Sequence, residues 1–375
     1  MVQTKSPEGS MGYFNIARGI GMFLIIWGHS LGLFHAWQTG GRGPLPASLG
    51  QGGEWKLFQG AGSVLGGGIM AMFFLISGFS FYKRSPKKCF SIQKKTLLYP
   101  YWITVAAILI SKLLLAALKH RSFMEHGGAY ILTYLLGLNA EGGGSLAGIP
   151  VESVSIFWFV LALFGGWIIY NAIVQCKKES IQWILVGAGA VLAWLLGLIS
   201  RVWIFCLPQA FSAAFFLAAG VQIRRWQLLE KRLSAGSYAL IGLLLFICAA
   251  FGQVNMVNNI WRLGIIDMAG SVCCGFVLLK LYRCLMRHMP QGRVVSWFES
   301  AGLYSMWVIC LHCYEKVIFP WYRLPGVFPD SPVLGTMVCV ALRIVLMYGM
   351  YRLLSLLIIR IKKKKKVKRK IILEE

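Results

Sequence analysis

Apolar runs of about twenty residues recur along the whole chain, each long enough to carry an α-helix through roughly 30 Å of hydrocarbon. They predict ten spans, near residues 11–36, 60–82, 96–118, 155–175, 181–200, 202–223, 237–254, 265–285, 301–321 and 334–359. The pattern is that of an all-α polytopic integral membrane protein. It divides the chain into a short N-terminal segment (1–10), one transmembrane domain (11–359) and a basic tail (360–375). No small-residue cleavage motif follows the first apolar stretch, which therefore reads as a retained helix. Two long glycine-rich connections, 37–59 and 119–154, fall on the same side of the membrane. The second contains the apolar stretch 129–138, too short to cross, which is expected at the interface or dipping back in. A substrate mouth and a plain surface loop both fit it. No internal repeat points to the duplicated architecture of many secondary transporters.

Composition narrows the class. With 57% hydrophobic residues and only 14% charged among 375, the chain carries more apolar surface than a water-soluble core could hide, which excludes a soluble enzyme. The net charge of +25 raises nucleic acid as a partner, but the positions of the charges answer it. With Lys280 and Arg283, at the inner end of the eighth span, counted on the inner side, there are 26 inner Lys and Arg, against 7 on the outer segments and 5 inside spans. A bias of that size places both ends in the cytoplasm of a multi-pass plasma (cytoplasmic) membrane protein. No basic patch is interleaved with aromatics on a soluble fold, so nucleic acid is not an expected partner. Nine of the inner cations lie in 360–370, where the run 362–366 reads as an anchor on anionic membrane lipids. Seven of the ten cysteines fall within apolar spans, and no outer loop carries a pair, so disulfides are not expected. Cys310 and Cys313 have CxxC spacing, but inside an apolar helix they read as small packing residues, and no metal is expected.

Polar residues within spans are costly and default to functional hypotheses. Arg18 and His29 lie eleven residues apart on the first span, which returns to within about 20° of one face and separates them by roughly 16 Å along the axis. One stripe thus carries a fixed cation near the cytoplasm and an imidazole in the outer half. A snorkelling arginine with a packing histidine fits those two residues as well as a site does. In the last span Arg343 needs an internal partner, for which Asp267 is one candidate. His35, His120 and His126, in or beside outer segments, read as solvated surface residues.

Arg18 and His29, ten residues between them, resemble the opening signature of the membrane-bound acyltransferase-3 family. Phe73-Phe74-Leu75-Ile76-Ser77-Gly78-Phe79 resembles its second-helix motif, and Lys94-Lys95-Thr96-Leu97-Leu98-Tyr99-Pro100-Tyr101 resembles the basic segment that opens its third helix. Ile156-Phe157-Trp158-Phe159-Val160-Leu161-Ala162-Leu163-Phe164 is similar to a further block, in the form of the fucose O-acetylase-like branch. Ala301-Gly302-Leu303-Tyr304-Ser305, running on to His312, is similar to the late block that closes with histidine. The chain departs from that branch before Phe73, where Gly68-Ile69-Met70-Ala71-Met72 lacks a family histidine.

The resemblance implies transfer of an acyl group, usually acetyl, from cytoplasmic acyl-CoA to a hydroxyl of an extracytoplasmic glycan or glycolipid. Arg18, Lys94 and Lys95, with Lys83 and Arg84, would hold the polyanionic CoA head, and Tyr99 falls in the same motif. His29 would be the general base on the acceptor hydroxyl. Ser77 has no His and Asp placed to activate it, so helix packing or a hydrogen bond to the CoA arm fits better than a nucleophile. His312 and Glu315, one turn apart on one face, fit either an acceptor-side wall or an internally satisfied polar cluster. Trp158 fits either stacking on a sugar ring or anchoring at the interface. Two other functions remain open from sequence: a transporter or flippase of a glycan intermediate, and N-acetyl transfer to an amino sugar.

Overall fold

The structure is a computed structural model, and it describes residues 9–38, 53–118, 124–139, 144–146, 148–200, 202–288 and 292–374. Thirteen helices and two short hairpins follow in order among them. The opening helices are α1 (Gly9–Gln38), α2 (Gly53–Phe79), α3 (Pro86–Gln93), α4 (Tyr99–Leu118) and α5 (Met124–Leu136). Next come the hairpin β1 (Gly144–Leu146) and β2 (Ile149–Val151), then α6 (Trp158–Ile173), α7 (Glu179–Ile199), α8 (Leu207–Arg225) and α9 (Ala235–Phe251). A second hairpin, β3 (Val254–Asn255) and β4 (Ile260–Trp261), precedes α10 (Ile265–His288), α11 (Arg293–Leu303), α12 (Ser305–Ile318) and α13 (Pro332–Glu374).

Among the described residues, eight helical stretches are long and apolar enough to cross a membrane, and α11 with α12 forms a ninth bent by 82°. The all-α polytopic reading holds. Three details differ from the ten even spans of the sequence. The seventh is only the 17-residue α9, shorter than a simple crossing needs. The ninth is broken at Tyr304. The third starts ten residues early: α3 runs through a π turn at Lys94–Leu98 into α4, giving one stretch Pro86–Leu118. The basic segment read as an inner loop is therefore mostly helix, since lysines propagate a helix readily when their heads reach water. For the same reason α13 runs on through the basic tail to Glu374.

The buried centre is built by α2, α6 and α8. Phe74 packs against Phe159 and Phe216, with ring centres 4.7 and 5.7 Å apart. Without a hydrophobic force between helices in lipid, close approach depends on small residues. Gly78 and Gly220 supply it, because a side chain on either would meet the backbone carbonyl of Leu217 or Leu75 across the contact. The same device seats α11 on α1, where a methyl group on Gly302 would collide with the Asn15 carbonyl. The helices α4, α7 and α13 lie outside, with Leu114, Ile184, Leu198 and Val345 exposed as lipid-facing residues.

The segments assigned to one side of the membrane also meet at one end of the bundle. There Phe14 packs on Phe79 at 4.8 Å, Asn171 brackets the backbone of Arg84 with two bonds of 3.0 Å, and Arg283 pairs with Glu230 at 2.5 Å. At the other end Ser63 bonds Val254 in both directions and Gln209 donates to Val257. The connection 119–154 contributes α5, which packs on the Pro86–Leu118 helix: Tyr101 donates through its hydroxyl to the Tyr134 carbonyl at 2.5 Å.

Candidate functional site

Helix α1 is unbroken from Arg18 to His29, so the stripe expected from the sequence exists. Arg18 is partly buried and its Nη1 lies 3.5 Å from Asn15 Oδ1 on the same helix. His29, also partly buried, faces α12: its ring centre is 5.5 Å from that of His312. The structure thus brings together two histidines 283 positions apart in the chain.

The His312 side is a closed polar assembly. His312, Glu315 and Arg343 have 0%, 0% and 1% of their surface exposed. Glu315 stands one turn after His312 on α12, and its Oε1 lies 2.6 Å from His312 Nδ1. A carboxylate only accepts, so against an ionised Glu315 Nδ1 donates, and in the neutral ring Nε2 is left with its lone pair. That nitrogen has no hydrogen-bond partner among the described residues. Pro320 ends α12's run, and the following 3-10 turn Trp321–Val327 folds back so that Trp321 Nε1 donates to the Glu315 carbonyl at 3.2 Å. Arg343, from α13, lies 5.0 Å from the centre of the Trp321 ring and 3.9 Å from Glu315 Oε1. A buried charge without a partner is strongly destabilising, and the Glu315 and Arg343 charges answer each other here.

Arg343 therefore finds Glu315 and not Asp267, the candidate named from the sequence. Asp267 has a local task at the start of α10, where its Oδ2 accepts from Leu263 N at 2.8 Å and Gln253 N at 3.4 Å, tying the second hairpin to the helix. Trp321 went unnoticed in the sequence because its role depends on a chain reversal after Pro320 that no local pattern announces.

The remaining candidates are scattered. Ser77 donates its hydroxyl to the Phe73 carbonyl at 2.9 Å, within its own helix, beside the tight Gly78 crossing. Lys94 lies 5.8 Å from the Tyr99 ring centre, Lys95 and Tyr99 are exposed, and their π turn packs on α6 and not on the helix that carries Arg18. Trp158 is buried, so it is no interfacial anchor. It lines a narrow crevice with Phe74, Gln209 and Trp261. Cys310 and Cys313 are buried packing residues, and all ten cysteines are free thiols. The side chains of His35, His120 and His126 lie outside the described residues.

The bundle is that of a multi-pass membrane protein with a buried polar cluster among its helices. The profile of the acyltransferase domain matches residues 11–352, nearly the whole chain, and the protein belongs to this acyltransferase-3 family. It is a membrane acyltransferase. No curated protein and no solved structure matches it.

Proposed function

We propose that the protein moves an acyl group, acetyl in the simplest case, from cytoplasmic acyl-CoA to a hydroxyl of an extracytoplasmic glycan or glycolipid, in the plasma membrane and with both termini in the cytoplasm. One observation carries the reading: His29, paired with His312 of α12, sits on the same stripe of α1 as Arg18 but about three turns along from it. A donor anchored by cations at the basic end can present its thioester there, and an acceptor can enter from the far end. The fucose O-acetylase-like form of the Trp158 block supports a sugar hydroxyl as acceptor.

Burial separates the roles of the two rings. His29 is partly open, so it is the one an acceptor can touch; His312 is sealed and held by Glu315. In the step proposed, His29 takes the proton of the acceptor hydroxyl as its oxygen attacks the thioester carbonyl. The carbon–sulfur bond breaks, and the imidazolium returns its proton to the departing CoA thiolate. His312 is a positioning residue, bearing on the His29 ring, and no acyl-enzyme is needed because Ser77 spends its hydroxyl on Phe73. Mass spectrometry of cell-envelope glycans from cells with and without the protein tests the reading. Loss of an acyl ester is expected. Loss of an amide-linked acyl group would instead make the acceptor an amino sugar, and loss of a whole glycan from the outer leaflet would make the protein a flippase.

A further inference from the structure

A cavity of about 240 Å³ opens at the basic end of the bundle, where α6, α7 and α8 meet the residues just after α2. Its wall combines three cations, Lys83, Arg224 and Arg225, with the rings of Tyr82 and Trp183 and the amide of Gln222. Lys83 already stands among the donor cations read from the sequence; Tyr82, Trp183, Gln222, Arg224 and Arg225 belong neither to the histidine site nor to those motifs.

Each group is presented in a usable state. Arg224 donates through Nη1 to the Phe79 carbonyl at 2.6 Å and lies 4.7 Å from the centre of the Tyr82 ring, which fixes its plane. That bond uses one of a guanidinium's five N–H donors. Arg225 pairs with Glu179 at 2.5 Å, but their side chains are 57% and 54% exposed, and so open a pair exchanges readily for another anion. Gln222 Oε1 is buried without a hydrogen-bond partner. A carbonyl oxygen does nothing for an anion and asks for an N–H donor instead. Cations for phosphate, flat rings for stacking and an acceptor for an amino group together describe a purine nucleotide better than a bare anion.

Position links this cavity to the donor. Phe79, which takes the Arg224 bond, packs on Phe14, one turn before Arg18 on α1. We propose that the cavity seats the adenosine 3′,5′-bisphosphate end of the acyl-CoA donor, with Lys83, Arg224 and Arg225 on its phosphates and Gln222 Oε1 on the adenine amino group. The assignment rests on the acyl-CoA reading above. The cavity is smaller than the roughly 300–1,000 Å³ of complete small-molecule sites, in keeping with a seat for the head alone, the pantetheine arm lying outside it.

Binding of acetyl-CoA, 3′-dephospho-CoA and adenosine 3′,5′-bisphosphate to the purified protein in detergent tests this. Arg225→Ala should weaken acetyl-CoA by roughly tenfold, the cost of one charge-assisted bond, and should shrink the preference for acetyl-CoA over dephospho-CoA. Gln222→Leu should weaken adenosine 3′,5′-bisphosphate without changing that preference. Lys83→Ala, at an exposed position, repeats the first test should Arg225→Ala fold poorly. If the wild type binds acetyl-CoA and these variants bind it equally well, the cavity is not its seat, although the donor reading stands. If the wild type binds no acetyl-CoA, both fall. Co-purifying phosphatidylglycerol that is lost in Arg225→Ala, with acetyl-CoA affinity unchanged, would make the cavity a lipid headgroup seat and overturn the assignment.

Discussion

Arg343 reaches from α13 to within 3.9 Å of Glu315, the carboxylate that stands 2.6 Å from His312 on α12. A histidine, a carboxylate and a guanidinium thereby meet across two helices, the last by charge without a hydrogen bond, with the Trp321 ring beneath the guanidinium as a floor. Such an arrangement fixes the ring of His312 by charge as well as by packing, and it makes the three residues interdependent.

That interdependence is measurable. Glu315→Gln keeps the shape but strands the buried Arg343 charge, and breaking a buried pair in this way costs on the order of 3–5 kcal/mol. Thermal unfolding in detergent should show the loss. In the double variant Glu315→Gln with Arg343→Met most of the stability should return, while acyl transfer stays low because a neutral amide carbonyl holds His312 Nδ1 more weakly than a carboxylate does. A double variant as unstable as the single one would remove the ion pair from the account.

The break between α11 and α12 gives a second expectation. Gly302 sits where α11 crosses the backbone of α1 at Asn15, and a carbonyl oxygen there has nowhere to go. Gly302→Ala should therefore lower the yield of folded protein by more than the 1–3 kcal/mol typical of overpacking would suggest. Fluorescence-detected gel filtration of a tagged chain reads this directly, and a monodisperse wild-type-like peak would show that the helices separate without cost.

How much of this was legible in the sequence depended on range. Spans with unbroken apolar runs, such as those of α1, α2 and α10, were placed within a few residues because hydrocarbon thickness dictates their length. The Arg18 to His29 stripe followed from helical periodicity, and the His312 to Glu315 pairing from spacing on a single turn. The bend at Tyr304 was invisible, since no proline marks it and the tight contact beside it, Gly302 on Asn15, joins residues nearly three hundred positions apart. The partner of Arg343 could not be read for a similar reason: Glu315 and Asp267 are equally acidic in one dimension, and only the hairpin backbone that occupies Asp267 decides between them. Trp158 was misjudged as a candidate anchor because its run looks the same whether it faces lipid or the α2 and α8 core.

The donor role proposed for Arg18 yields a prediction about one side chain. Arg18→Ala should weaken acyl-CoA binding, and Arg18→Lys should keep part of it, because the charge survives while the planar fork is lost. Titration of purified protein with acetyl-CoA is the measurement. Equal affinities in all three proteins would leave Arg18 as a topological arginine.

Orientation is open to a labelling experiment. A tag inserted in 141–148 should react with a membrane-impermeant reagent from outside intact cells, and a reporter after residue 375 should be active only in cytoplasmic form, as the bias of 26 inner to 7 outer cations requires. A tail found outside would invert the donor and acceptor ends together.

His29→Ala is the variant on which the mechanism stands or falls. His29 shares a stripe with Arg18 but lies roughly 16 Å further along α1, so it can act on the acceptor without touching the CoA head. Its ring meets His312 at 5.5 Å and keeps a partly open face, whereas His312 has none. Removing a general base typically costs 10² to 10⁴ in rate, and here the loss should appear in turnover with acetyl-CoA affinity and membrane level unchanged. A histidine that merely packs against His312 predicts the opposite, a lower level of folded protein whose surviving molecules are active. Acylation, protein level and CoA affinity should be measured together on His29→Ala and His29→Gln, the second of which fills the same space without a base. Near-normal acylation by either at normal membrane levels would pass the role of base to His312, whose Nε2 would then have to be reached by the acceptor through a movement of α1.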